Sequence, residues 1–135
     1  MDVLNGQQVI AVLVIDDAAD AVPLAETLLE NGIGAMELTL RTPAAIDAMC
    51  AIKRAVPRMI VGAGTVLTRD QVRAVKDAGA AFGVAPGLNP NVLQEAAAVE
   101  LPFAPGVMTP SDIEAAIEHG CKTLKLFPAV PVGGL

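Results

Sequence analysis

The sequence contains no tryptophan, no tyrosine and only three phenylalanines among its 135 residues. Aromatic side chains that could stack on nucleic-acid bases are therefore nearly absent. The formal net charge of −6 also provides no basic surface for a phosphate backbone. Both absences argue against nucleic acid as a partner. Because 53% of the residues are hydrophobic, the core has to be built from aliphatic side chains.

Histidine, cysteine and long apolar runs are also scarce. His119 is the single histidine, and the two cysteines, Cys50 and Cys121, do not form a Cys-x-x-Cys pair. This pattern predicts free thiols and shows no metal-ligand spacing, so we expect no metal and no other cofactor. The first residues lack the cationic and apolar regions of a signal peptide, and no run approaches the ~18 apolar residues of a membrane span. We expect a soluble, cytoplasmic protein without a membrane partner.

Apolar runs and helical segments alternate along the whole chain. The predicted strands are Val9–Ile15, Ala35–Leu40, Met59–Ala63, Ala81–Ala85, Leu101–Pro105 and Thr123–Phe127. The predicted helices are about Ala18–Glu30, Pro43–Ala55, Arg69–Ala78, Pro90–Ala98 and Pro110–His119, and Thr42, Thr68 and Asn89 are predicted N-caps. This alternation predicts one α/β domain over residues 1–135, with a parallel sheet covered by helices.

Lys125 is the residue in this pattern with the most distinctive chemistry. In its predicted strand it shares a face with Thr123 and Phe127, while Leu124 and Leu126 point the other way. A lysine aimed into an apolar interior is costly as an ammonium ion, which favours a fraction of neutral, nucleophilic amine. Such an amine attacks a ketone to form a Schiff base. The alternative is a strand-end lysine that reaches solvent along its own stem.

A second strand carries a matching polar face. Met36, Leu38 and Leu40 share one side of it, and the other side carries Glu37, Thr39 and Arg41. In a closed parallel barrel the polar side points inward, where it could meet Lys125. A buried carboxyl there is suited to general acid–base work, and a guanidinium matches a substrate carboxylate. The alternative is a mutual ion pair between Glu37 and Arg41 that only stabilises the barrel.

Two architectures contain such βα repeats, an open doubly wound sheet and a (β/α)8 barrel. An open-sheet nucleotide-binding module is the weaker reading, because Leu67 stands where the Gly62-Ala63-Gly64 fingerprint needs its third glycine. The barrel places its site at the carboxyl ends of the strands. That is where four candidate residues fall, namely Arg41, Thr65, Pro86 and Lys125.

Five motifs in order resemble one known family. They are Glu37-Leu38-Thr39-Leu40-Arg41-Thr42, Val61-Gly62-Ala63-Gly64-Thr65-Val66, Ala85-Pro86-Gly87, Pro105-Gly106-Val107-Met108-Thr109 and Lys125-Leu126-Phe127-Pro128-Ala129. The chain is similar, from about Val9 to Gly134, to the 2-keto-3-deoxy-6-phosphogluconate (KDPG) aldolases, which also act on 4-hydroxy-2-oxoglutarate (KHG). One motif alone would be weak support, whereas five in order, one per strand, are highly specific.

The resemblance implies a class I aldolase, a lyase on a (β/α)8 TIM barrel that needs no cofactor. Such an enzyme cleaves KDPG of the Entner–Doudoroff pathway to pyruvate and glyceraldehyde 3-phosphate, or KHG to pyruvate and glyoxylate. By motif position, Lys125 looks like the Schiff-base lysine and Glu37 like the proton-transferring carboxylate. Arg41 and Thr65 look like ligands of the pyruvate carboxylate. Pro86 and Phe127 look like pocket walls. The family is commonly homotrimeric.

The chain departs from the family pattern in two ways. It carries about six of the eight βα units, so we expect a C-terminally truncated chain that lacks the phosphate-binding loops after strands 7 and 8. Val130 also stands where the family tends to carry a Glu after Phe-Pro-Ala. We therefore expect exposed edges at the first and last strands and weakened activity on phosphorylated substrates. The alternatives are a catalytically impaired aldolase fragment and a 2-keto-3-deoxy-6-phosphogalactonate aldolase.

Overall fold

The computed structural model describes residues 2–134, in which strands and helices alternate. The strands are β1 (Ala11–Leu13), β2 (Ala35–Thr39), β3 (Ile60–Gly64), β4 (Phe82–Val84), β5 (Phe103–Ala104), β6 (Gly106–Val107) and β7 (Lys125–Leu126). The α-helices are α1 (Ala21–Glu30), α2 (Ala45–Ala55), α3 (Arg69–Asp77), α4 (Pro90–Ala98) and α5 (Pro110–Glu118). Short 3-10 helices cover Asp2–Leu4, Ala18–Asp20 and Val130–Val132.

The strands form one curved parallel layer in chain order. β1 to β5 pair successively in one sheet, and β6 pairs with β7 in a second. Only Pro105 separates β5 from β6, so the same extended segment faces β4 on one side and β7 on the other. On the first side Ala85 N donates to Ala104 O at 3.3 Å, and on the second Lys125 N donates to Pro105 O at 2.9 Å. The βα repeat is therefore continuous from β1 to β7.

Each of the six predicted strands overlaps an observed strand, although β3 ends one residue later than predicted and the prediction for the fifth was incomplete. Leu101–Pro105 holds β5, and the pairing resumes beyond it as β6. Proline has no N–H to donate to a neighbouring strand. Pro105 therefore interrupts the hydrogen-bonded strand at the point where the segment changes partner from β4 to β7. The first and last observed strands, β1 and β7, are shorter than predicted. Within residues 2–134 each of them pairs with a neighbouring strand on one side only.

The helix predictions were largely correct, with one wrong N-cap. Thr68 Oγ1 accepts a hydrogen bond from Gln71 N at 3.2 Å, and Asn89 Oδ1 accepts one from Asn91 N at 3.0 Å, as expected. Thr42 does not cap α2, which begins only at Ala45. Its hydroxyl instead donates to the carbonyl oxygen of Ile15, which ties the turn after β2 to the end of β1.

The core lies between the helices and the outer face of the sheet, and it is aliphatic as predicted. Helices α1 and α2 pack side by side, as do α3 and α4. The fully buried members include Met36, Leu38, Met49, Ile52, Val66, Val72 and Val75. Within residues 2–134, none of the helices combines the length and apolar character needed to cross a membrane.

The open edges expected at both ends of the sheet are present in the described residues. Val9, Val12 and Val14 on and beside β1 are each at least half exposed. At the other end, Ile117 of α5 and Val130 after β7 are 61% and 86% exposed. Aliphatic side chains therefore face solvent along both borders of the parallel layer.

Helix α5 begins with a reciprocal capping box that makes stability depend on pH. Thr109 Oγ1 accepts from Asp112 N, and Asp112 Oδ2 accepts from Thr109 N at 2.9 Å and from Met108 N at 3.0 Å. The backbone N–H of Thr109, followed by that of Met108, lowers the pKa of the Asp112 carboxyl below its ordinary value. The ionised form of Asp112 is thus bound more favourably in the folded chain than in the unfolded chain.

We predict that the stabilisation of the folded chain by the ionised Asp112 carboxylate is present at neutral pH and disappears in acid. A group whose pKa is lowered by folding stabilises above its unfolded pKa, near 4 for aspartate, and loses that effect as the pH falls through its folded value. Urea unfolding of the wild-type chain and Asp112→Asn, measured from about pH 7 to about pH 2, should show a difference that shrinks toward zero in acid. A difference that stays constant across this range would contradict the assignment.

Candidate active site

Lys125 and Glu37 meet inside the curve of the sheet although 88 residues separate them. Lys125 Nζ donates to Glu37 Oε1 at 3.4 Å, a long hydrogen bond that is also an ion pair. The Glu37 side chain is 5% exposed and that of Lys125 is 30% exposed. A candidate nucleophile and a candidate acid–base group are therefore in contact, with the carboxylate buried and the amine accessible.

The ion pair explains how a carboxylate can be buried at this position. An unpaired buried charge is strongly unfavourable, and among the described residues Lys125 is the one ion-pair partner of Glu37. The alternative pairing of Glu37 with Arg41 is wrong. Arg41 lies two residues beyond the end of β2, is exposed, and makes no side-chain hydrogen bond or ion pair within residues 2–134.

A cavity of about 240 Å³ opens on the Lys125–Glu37 pair. Its lining is mostly aliphatic or aromatic and consists of Leu4, Ile10, Val12, Glu37, Phe82, Val84, Ala104, Thr123, Leu124 and Lys125. A larger cleft of about 730 Å³ lies at the ends of α1 and α2, but it contains no lysine or cysteine nucleophile beside a base. The chemistry therefore points to the smaller cavity, in which the charged atoms converge.

Phe127 lies against the amine as its shared face with Lys125 predicts. The ring centroid is 5.3 Å from Lys125 Nζ, within the range of a cation–π contact. Phe127 is 39% exposed, so its ring borders the site at the surface and is not a core residue. Its backbone N–H donates to Val107 O at 3.1 Å, which fixes the start of the loop after β7.

Thr65 and Pro86 follow the carboxyl ends of β3 and β4. Thr65 is half-buried and has φ +59°, a left-handed conformation that is rare for a β-branched residue. The backbone holds it there, since Val66 N donates to Val84 O at 3.1 Å directly after it. Pro86 is half-buried, and its carbonyl lies beside Gly106. Within residues 2–134, the Thr65 hydroxyl makes no hydrogen bond.

Two further inward polar residues are Thr39 and Thr123. Thr39 is buried, and its hydroxyl donates to Leu13 O at 3.2 Å, which links β2 to β1. Thr123 lines the cavity next to Lys125. The structure thus places both Glu37 and Phe127 against Lys125. Arg41, Thr65 and Pro86 lie just beyond the same ends of their strands.

The two glycines of β3 make room for neighbouring side chains, a role that was not predicted from the sequence. A Cβ at Gly62 would lie 2.2 Å from the Phe82 ring, and one at Gly64 would lie 2.0 Å from Glu37 Oε1. Both glycines are on the inner face of β3, while Val61 and Ala63 pack in the core behind it. The period-two spacing of Gly62 and Gly64 was the available signal, since it predicts a strand face without side chains.

The family model for aldolases described as "KDPG and KHG aldolase" matches residues 1–135. A 2-dehydro-3-deoxy-phosphogluconate aldolase of Haemophilus influenzae is 41% identical over 132 residues, which cover 98% of this chain and 62% of the relative. The KHG/KDPG aldolase of Escherichia coli K12 is 41% identical over 133 residues, with the same two coverages. The chain therefore spans about 62% of the length of these curated relatives.

Solved structures give the same likeness in three dimensions. A KDPG aldolase of Zymomonas mobilis ZM4 with 3-phosphoglycerate has a TM-score of 0.93 and 40% identity, covering 99% of this chain and 64% of that one. A KDPG aldolase of Legionella pneumophila, with pyruvate captured at low pH as a covalent carbinolamine, has a TM-score of 0.93 and 40% identity, covering 98% and 65%. This likeness confirms the barrel-type α/β fold predicted from the sequence.

Proposed function

The chain belongs to the KDPG and KHG aldolase family, and we propose that it carries a class I aldolase site in which Lys125 forms a Schiff base with a 2-keto acid. The observation that carries this proposal is the contact of 3.4 Å between Lys125 Nζ and the buried carboxylate of Glu37. A pyruvate carbinolamine in the related Legionella pneumophila enzyme supports the same type of covalent chemistry.

The first half of the reaction uses Glu37 as a base and then as an acid. Glu37 accepts a proton from the Lys125 ammonium, and the neutral amine attacks the ketone carbon, C2, of the keto acid. Glu37 gives this proton to the former carbonyl oxygen and takes one from the attached nitrogen, which leaves a neutral carbinolamine. Glu37 then returns a proton to that hydroxyl, which leaves as water, and a protonated imine remains on Lys125.

The second half breaks the carbon–carbon bond. A base removes the proton of the C4 hydroxyl, the C3–C4 bond breaks, and its electron pair moves into the iminium to give an enamine. C4 leaves as the aldehyde. The enamine takes up a proton at C3, and water adds to the resulting iminium, which releases pyruvate and regenerates the amine of Lys125. Glu37 is the buried carboxyl placed to move these protons.

We assign binding roles to four further residues. Arg41 and Thr65 would hold the carboxylate of the keto acid, because a guanidinium binds a carboxylate through two parallel hydrogen bonds and a hydroxyl adds a third. Both side chains lack a hydrogen-bond partner within residues 2–134, so their donors are free for a ligand. Pro86 and Phe127 would form walls, with the Phe127 ring beside Lys125 Nζ.

The substrates we propose are KDPG, cleaved to pyruvate and glyceraldehyde 3-phosphate, and KHG, cleaved to pyruvate and glyoxylate. The names of the curated relatives at 41% identity contain these two substrates. A second candidate is the galactonate epimer of KDPG, because a solved KDPGal structure has a TM-score of 0.87 and 29% identity. Initial rates of pyruvate release from the three substrates, followed with lactate dehydrogenase and NADH, test the proposal. No release from any of them would refute it.

Location in the cytoplasm, expected from the sequence, and assembly as a homotrimer, implied by the family resemblance, are further proposals. Sedimentation equilibrium of the purified chain tests the second of them directly. A mass three times that of the 13.8 kDa chain is the expected result, and a monomer or dimer would contradict it.

A further inference from the structure

We propose that Gly64 is a positioning residue, whose missing side chain leaves the space in which the Glu37 carboxylate reaches Lys125. This inference rests on the proposed Schiff-base function. Gly64 itself offers no functional group to a substrate. Its role is to determine where the carboxylate of another residue can lie.

The geometry around Gly64 leaves no room for a methyl group. An ideal Cβ there would lie 2.0 Å from Glu37 Oε1, 2.7 Å from Cδ and 2.8 Å from Cγ. All three distances are below 3.0 Å, a separation that real Cβ contacts essentially never reach. Gly64 is not among the residues with positive φ, so space and not backbone conformation demands glycine here.

With a methyl group at Gly64, the Glu37 carboxylate would have to move, and this movement would break its ion pair with Lys125. Glu37 is nearly fully buried between its neighbours, while the contact to Lys125 Nζ is already long at 3.4 Å. A shift of about 1 Å takes the oxygen beyond hydrogen-bond reach, and misplacements of this size cost up to about 100-fold in rate. A methyl group at Gly64 should therefore disable Glu37 without changing any ionisable residue.

The test is a double-mutant cycle on the rate of pyruvate adduct formation. Pyruvate and borohydride are added to the wild-type chain, Gly64→Ala, Glu37→Ala and the double variant. Gly64→Ala should slow adduct formation by about 10- to 100-fold. In the Glu37→Ala background the same change should have less than about a twofold effect, because the group that it displaces is gone. Gly64→Ala should also alter the pH profile as Glu37→Ala does.

Two matched glycine-to-alanine controls separate this effect from general damage. A Cβ at Gly87 meets nothing within 4 Å, so Gly87→Ala should leave the trapping rate at the wild-type value. A Cβ at Gly62 lies on the same face of β3 but meets Phe82. Because the nearest atoms to that methyl group belong to Phe82 and not to Glu37, Gly62→Ala should leave the rate of borohydride trapping at Lys125 closer to wild type than Gly64→Ala does.

A second readout does not depend on aldolase chemistry. Reductive methylation with formaldehyde and cyanoborohydride, followed by peptide mapping, compares Lys125 with the exposed Lys122 in each variant. Displacement of the carboxylate frees the Lys125 amine, so its methylation relative to Lys122 should rise in Gly64→Ala and in Glu37→Ala alike. If Gly64→Ala does not fold, the double variant with Glu37→Ala should fold again, because the obstructing side chain is absent.

The outcomes distinguish the two proposals. If the wild-type chain forms no pyruvate adduct, the Schiff-base function fails, while the methylation ratios still decide whether Gly64 positions Glu37. If the wild-type chain forms the adduct and Gly64→Ala matches Gly87→Ala, the positioning role is wrong. Rate losses that add fully in the double variant, or a double variant that stays unfolded alongside Gly64→Ala, would overturn it as well.

Discussion

Replacement of Lys125 by alanine is expected to lower pyruvate release by at least about 10³-fold, since loss of the nucleophile in covalent catalysis has effects of this order or larger. No other lysine among the described residues contacts Glu37. Without the amine there is no iminium to accept the electrons of the breaking C3–C4 bond. The coupled assay with lactate dehydrogenase measures this loss directly.

Two variants make the Lys125 result specific. Lys125→Arg keeps a positive charge beside Glu37 but removes the nucleophilic amine, so it should fold and still be inactive. Lys122→Ala changes an exposed lysine three residues earlier and should keep wild-type activity. Substantial activity in Lys125→Arg would show that the charge, and not a covalent bond, is what the reaction needs.

Glu37→Gln is expected to lower the rate by about 10²- to 10⁴-fold, the usual contribution of a positioned general acid–base group. The amide keeps the shape of the side chain but cannot accept the proton of the Lys125 ammonium. Steady-state pyruvate release with saturating substrate measures the effect on kcat.

A control variant and a measurement of folding make the Glu37→Gln result specific. Glu100→Gln changes an exposed carboxylate outside the cavity and should leave the rate unaltered. Urea unfolding should show that Glu37→Gln is still folded, because the amide can accept a hydrogen bond from Lys125 Nζ. A folded Glu37→Gln variant with wild-type kcat would mean that protons move through another group.

The contact between Lys125 and Glu37 was predictable from the sequence because each residue breaks a local rule. Lys125 lies in an apolar strand, and Glu37 alternates with the core residues Met36 and Leu38 on a strand flanked by helices. In a half-exposed sheet that alternation would place Glu37 in solvent. In a parallel sheet that curves into a barrel, the polar face of the strand points inward instead, and Glu37 is indeed buried at 4% exposure.

Other features depend on contacts between strands that a one-dimensional pattern does not contain. The Thr42 hydroxyl can either cap its own helix or donate to the backbone at the end of β1. In the structure it donates to Ile15 O, a contact with a neighbouring strand. Arg41 follows the inward parity of β2, but the strand ends at Thr39 and the chain turns away before the arginine. The role of Gly64 depends on the length of the Glu37 side chain in the next strand.

Borohydride trapping with pyruvate, followed by intact mass and peptide mapping of this chain, tests most directly whether Lys125 forms a Schiff base. Hydride reduces the iminium to a stable secondary amine, so the labelled chain gains the mass of pyruvic acid less one oxygen atom. We predict one adduct, on Lys125, that is lost in Lys125→Ala and retained in Lys122→Ala. A folded chain that acquires no adduct, or that carries it on another lysine, would contradict the assignment of Lys125 as the Schiff-base residue.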